Sequence, residues 1–131
     1  MSSFLDDGWD TLRGYMEPRR FSPGETVLVA GEPDRSLYVL TEGTVEAIVT
    51  RKSGSKRTTV MEAGTLFGEV AFFDGGARSA AVRGVTNGEL LRLSFEQFES
   101  LASDHPALGR ALLLDLGVRI AARLRAAEQG Q

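Results

Sequence analysis

Between Arg19 and Ser94 the chain is written in short β-branched and aromatic runs, each cut off by a glycine-bearing turn, and this cadence restricts the fold more than any other feature. Predicted strands are Thr26–Val29, Leu37–Leu40, Thr44–Thr50, Lys56–Met61, Ser79–Arg83 and Glu89–Leu93. Leu37-Tyr38-Val39-Leu40, then Thr41-Glu42-Gly43, then the alternating Thr44-Val45-Glu46-Ala47-Ile48-Val49 reads as strand, tight turn, strand. Ser53-Gly54 marks another hairpin tip. Many short strands at close spacing point to a closed or double-sheet β architecture such as a jelly roll.

Helical patterns flank this stretch. Leu5, Trp9, Leu12 and Met16 share one amphipathic face; Ser2 or Ser3 caps it, Asp6 and Asp7 suit its first turns, and the helix is read to about Glu17, with Pro18 as its stop. After the strands, Ser94 and Gln97 fit a capping box for a helix to about Ser103. Pro106 then opens a longer helix whose inward face is read as Leu108, Leu112, Leu116, Ile120 and Leu124. The expectation is one α+β domain over residues 1–131: an N-terminal helix (1–18), an antiparallel β-roll (19–94), and two C-terminal helices (95–131). At 131 residues the chain suits one hydrophobic core. Gly109 and Gly117 are read as weak points of the last helix.

The chemistry concentrates in residues 66–81. Gly68 leads into a short apolar segment, Glu69-Val70-Ala71-Phe72-Phe73, able to form a helical turn whose free N–H groups suit an anion. Asp74-Gly75-Gly76 turns the chain back and returns Arg78, whose planar fork matches two oxygens of one phosphate. Ionised Glu69 only accepts hydrogen bonds, and a ribose 2′-hydroxyl supplies a donor. Together these groups describe a site for a phosphorylated ribose.

The segment Phe67-Gly68-Glu69-Val70-Ala71, with Arg78-Ser79-Ala80 following, resembles the phosphate-binding cassette of cyclic-nucleotide-binding domains. Nine positions separate Glu69 from Arg78. That interval is similar to protein kinase A regulatory subunits and cyclic-nucleotide-gated channels, and the catabolite activator protein has one residue more. Phe21-Ser22-Pro23-Gly24, Gly31-Glu32, Asp34, Ser36, Tyr38 and Gly43 also resemble the family in order and spacing. The resemblance implies a β-roll holding cAMP or cGMP, with Glu69 on the ribose and Arg78 on the phosphate. Backbone N–H groups near Gly68, Ala71 and Ser79 complete the shell, and the last helix, around Leu112 to Leu124, moves to signal. Ala77 stands where family members often carry Pro, so a looser turn is expected there. Without ligand, Arg78 is expected to face water in an open pocket.

Other functions find little support. The formal net charge of −3 lacks the basic excess of a dedicated nucleic-acid binder. His105 is the lone histidine and there is no cysteine, so neither a metal set nor covalent catalysis is expected. No apolar run spans a bilayer, and a cytoplasmic, non-enzymatic sensor is the expectation. Arg51-Lys52-Ser53-Gly54-Ser55-Lys56-Arg57 reads as a solvated hairpin tip, with a docking patch for an acidic partner as the alternative. Expected partners are a cyclic nucleotide and an effector domain or protein, with a homodimer through the last helix as a further option. A ligand-free β-roll used for docking and a truncated sensor half of a catabolite-activator-type regulator stand as alternative functions.

Overall fold

A computed structural model describes residues 3–129. The Ser2 or Ser3 cap and the roles read for Leu5, Asp6 and Asp7 lie outside the side chains described. In chain order come α1 (Ser3–Arg13), β1 (Glu17–Phe21), β2 (Thr26–Leu28), β3 (Ser36–Glu42), β4 (Thr44–Thr50) and β5 (Lys56–Glu62). Then follow β6 (Leu66–Phe67), α2 (Glu69–Asp74), β7 (Ala81–Gly84), β8 (Gly88–Ser94), α3 (Phe95–Asp104) and α4 (Pro106–Gln129). These residues form two compact units: the strands with α2 (Glu17–Ser94), and the helices up to Met16 and from Phe95 onward.

The first unit is an antiparallel roll of two four-stranded sheets, ordered β1-β8-β3-β6 and β2-β7-β4-β5. The β4–β5 hairpin pairs without a break from Thr44 opposite Glu62 to Thr50 opposite Lys56. Both sheets supply the interior. Tyr38 and Leu40 from β3, Val45 from β4, Val82 from β7 and Leu90 from β8 join Phe21, Val27, Leu28 and Phe67 in one buried cluster. Leu40, Val45 and Leu90 are wholly buried, each contributing about 1.5–3 kcal/mol of apolar transfer. One pairing decides where the site lies. β6 runs against β3 with Phe67 opposite Tyr38, which delivers Gly68 and Glu69 beside the start of β3.

The helix expected up to about Glu17 stops at Arg13. Tyr15 and Met16 donate to the carbonyls three residues back, Leu12 and Arg13, which tightens and ends the last turn. Pro18 then pushes Glu17 into extended backbone. It sits inside β1, an edge strand of its sheet, where a missing N–H is tolerated. Met16 is buried but no longer on the helix. β6, two residues long, was not expected either.

In the helical unit, α3 begins directly after Ser94 and Pro106 is the first residue of α4. Tyr15 donates to Asp104 Oδ2 at 2.5 Å and its ring meets His105 edge-on at 6.1 Å. Gly109 also has a packing role. A Cβ there would lie 2.8 Å from the Ala102 Cβ, so the missing side chain lets α4 approach α3. The five-residue inward face of α4 is also corrected. Leu112 and Leu116 are buried, but Leu124 is 60% exposed. A spacing of four advances about 40° beyond a full turn at each step, so four steps carry Leu124 well around the helix from Leu108. Leu114 and Val118 of α4 are exposed as well.

Candidate functional site

Gly68 precedes α2 with φ 92° and ψ 10°, a conformation that disfavours any side chain. Space forbids one as well. A Cβ at Gly68 would sit 2.6 Å from Arg78 Nη1 and 2.9 Å from the Ser36 carbonyl oxygen. Glycine therefore clears a passage for the Arg78 guanidinium against the backbone. The first intrahelical bond of α2 is donated by Phe72 to Gly68 O at 3.1 Å, so the amides of Glu69, Val70 and Ala71 precede the helical ladder. Asp74 Oδ1 accepts from Gly76 N at 2.7 Å and turns the chain back.

Arg78 does not face water. It is 7% exposed and donates from Nη2 to Ser36 O at 2.7 Å and from Nη1 to Gly68 O at 3.3 Å. A guanidinium keeps its charge on burial and needs an anion. Asp34 supplies one, with Oδ2 at 3.2 Å from Nη2. The cation also lies 5.3 Å from the Tyr38 ring centroid. Among the described residues the Nε–H has no acceptor, and a buried donor left so costs about 1–3 kcal/mol.

Asp34 is the hub of this network. Tyr38 donates its hydroxyl to Oδ2 at 2.5 Å, and Arg92 Nη2 lies 3.7 Å from Oδ1. Burial alone would raise the Asp34 pKa, but the Tyr38 hydrogen bond and the Arg78 charge outweigh it and hold the carboxyl below its ordinary value. The Tyr38 phenol is pushed up by burial and by its bond to the Asp34 carboxylate. Arg78, Asp34, Tyr38, Arg92, Arg19 and Glu32 wall a cleft of about 290 Å³ in the roll.

The residues singled out from the sequence separate by role. Gly68 and Arg78 meet directly. Glu69 opens α2 with its side chain buried, yet Glu69, Ser79 and Ala80 are not in the cleft wall. Phe67 is core, stacked on Tyr38 at 5.4 Å, and Ala71 is buried on α2. Val70 is half exposed and Ser79 exposed. Ala77 bridges to Pro33, and next to it Arg78 N donates to Glu32 O at 3.0 Å while Gly31 N donates to Arg78 O at 2.8 Å. Sequence reasoning noted Asp34, Ser36 and Tyr38 without giving them a part, and missed Arg92 and Arg19. The Asp34-to-Tyr38 interval was visible, but only the folded strand brings Arg78 to it.

Comparison with known proteins decides what this site belongs to. The family model described as Cyclic nucleotide-binding domain matches residues 18–105, which include the whole Gly68–Ser79 segment. The chain belongs to the cyclic nucleotide-binding domain family. It is 31% identical over 120 residues to the Cyclic AMP receptor protein of Thermus thermophilus, covering 91% of this chain and 54% of that one. It is 28% identical over 114 residues to the mouse Cyclic nucleotide-gated channel alpha-4, covering 77% of this chain and 20% of the channel. The crystal structure of the Thermus thermophilus catabolite activator protein superposes with a TM-score of 0.85 at 28% identity, over 98% of this chain and 61% of that one. The chain thus spans about half the length of the bacterial regulators it matches. In this domain, no helix among the described residues is long and apolar enough to cross a membrane. No cluster of potential metal ligands occurs among them.

Proposed function

We propose that this domain binds a 3′,5′-cyclic nucleotide, cAMP or cGMP, and acts as a non-catalytic cytoplasmic sensor. The observation that carries the reading is Arg78: a buried guanidinium inside the family-matched segment, with its Nε–H lacking an acceptor. A cyclic phosphate offers several acceptor oxygens and one negative charge, which meets both needs at once. In this reading Glu69 accepts from the ribose 2′-hydroxyl, and amides near Gly68, Ala71 and Ser79 join the phosphate shell. Phe67, Val70 and Ala80 complete the ligand-binding segment around them.

The Asp34–Arg78 pair gives the binding event a physical consequence. Phosphate and carboxylate compete for one fork, so ligand entry releases Asp34 toward Arg92. Signalling is then a population shift, in which the ligand favours one arrangement of α4 over another. Leu114, Val118 and Leu124 leave apolar surface on α4, which suits a second copy or an effector. A nucleotide sensor is favoured over a bare docking module, because the buried Arg78 Nε–H lacks an acceptor that a cyclic phosphate would supply.

Calorimetry with cAMP, cGMP and 5′-AMP tests the proposal. Saturable binding of one cyclic nucleotide, with 5′-AMP much weaker, is expected. Heat from neither cyclic nucleotide would overturn it.

A further inference from the structure

Six residues are too few for α2 to hold its own helix in water. Its geometry must come from what grips its ends, and it carries no basic residue in its last turn to satisfy the final carbonyls. Arg35 does this from outside. Its Nε donates to Phe72 O at 2.7 Å and its Nη2 to Phe73 O at 2.9 Å. Two carbonyls of one helix end thus share a single planar fork, which also places a cation at the negative end of the helix dipole.

Arg35 sits between the two residues that hold Arg78. Asp34 pairs with the guanidinium and the Ser36 carbonyl accepts from it. Backbone contacts from Gly31, Glu32 and Pro33 hold the returning Ala77-Arg78 strand. One short segment therefore fixes Arg78 through Asp34 and Ser36 while fixing α2 through Arg35. The spacing between them is set by consecutive residues of one chain. The geometry points to Arg35 as a positioning residue for cyclic-nucleotide binding: it sets the placement of α2, and with it Gly68 and Glu69 at the other end, relative to Arg78. Its own fork is engaged on carbonyls, so it acts through α2 and not on the ligand. The inference deepens the cyclic-nucleotide reading above and rests on it.

The test compares full-length wild type with Arg35→Ala and Arg35→Lys. Ligand-free amide exchange is expected to rise in Arg35→Ala across residues 69–75 and to stay unchanged in β3, β4 and β8. Affinity for the better of cAMP and cGMP is expected to fall about tenfold, with Arg35→Lys recovering part of it, since an ammonium keeps the charge but not the two-pronged geometry. General loss of stability would instead speed exchange throughout the roll and leave the affinity of the folded protein unchanged. That pattern, wild-type affinity in Arg35→Ala, or unaltered exchange in residues 69–75 would each overturn the proposal. If wild type binds neither nucleotide, the functional reading fails while the exchange comparison still decides whether Arg35 positions α2.

Discussion

Arg78→Ala probes both the fold and the ligand, and the structure changes what it should do. An arginine facing water in an empty pocket could be removed at no cost to the ligand-free protein. Here Arg78 is 7% exposed, holds two carbonyls and pairs with Asp34. Removing one member of a buried ion pair typically costs about 3–5 kcal/mol. Asp34 is partly exposed and keeps Tyr38 and Arg92, and the orphaned Nε disappears with the side chain. A cost of about 2–3 kcal/mol follows from these offsets. For a domain of this size that is roughly 8–12 °C in melting temperature. Affinity should fall further, by about 2–5 kcal/mol, or some 30-fold to several-thousand-fold. The assay is a thermal melt of wild type and variant with and without cAMP and cGMP. At a hundredfold excess over its dissociation constant, ligand adds about 2.7 kcal/mol to wild type and almost nothing to the variant. A variant melting with wild type in the absence of ligand would refute the structural role of Arg78. A variant keeping the full ligand shift would refute its role as phosphate partner.

Gly68→Ala should destabilise by about 2–4 kcal/mol, adding the strain of positive φ to a clash with the fixed Ser36 carbonyl, and should weaken nucleotide binding by displacing Arg78; urea unfolding and calorimetry check both. Glu69→Ala should weaken binding by roughly ten- to a hundredfold, less than Arg78→Ala, because it removes a hydrogen bond and not the charge pair; the two dissociation constants give the order directly. Asp34 titrates below its ordinary value in the folded protein, so its stabilisation is complete above the unfolded pKa of about 4 and lost as pH falls through the folded value. Asp34→Asn should therefore melt lower at neutral pH and lose less stability on acidification, in melts from pH 7 down to pH 2. The same variant should bind cyclic nucleotide several-fold more tightly, since Arg78 no longer has a competing carboxylate. If α4 docks on a second copy, Leu114→Ser with Val118→Ser should give a monomer in sedimentation equilibrium at concentrations where wild type is dimeric.

What the sequence determined by itself was local and periodic. The alternation of residue types and the hairpin tip that follows placed β4 at Thr44–Thr50. The Gly68–Ser79 segment was legible because a glycine, a carboxylate and an arginine at set intervals state their chemistry without needing neighbours. β1 escaped, since an edge strand is defined by its partner: Glu17–Phe21 carries little apolar alternation, and only pairing with β8 makes it a strand. The reach of the α4 stripe escaped for a related reason, because a spacing of four looks constant in sequence and rotates in space. The state of Arg78 belonged wholly to tertiary structure. Its counter-ion lies 44 residues earlier in the chain, and the two meet only because β6 pairs with β3 and Pro33 bridges to Ala77. Sequence named the charge; long-range strand pairing decided which groups hold it.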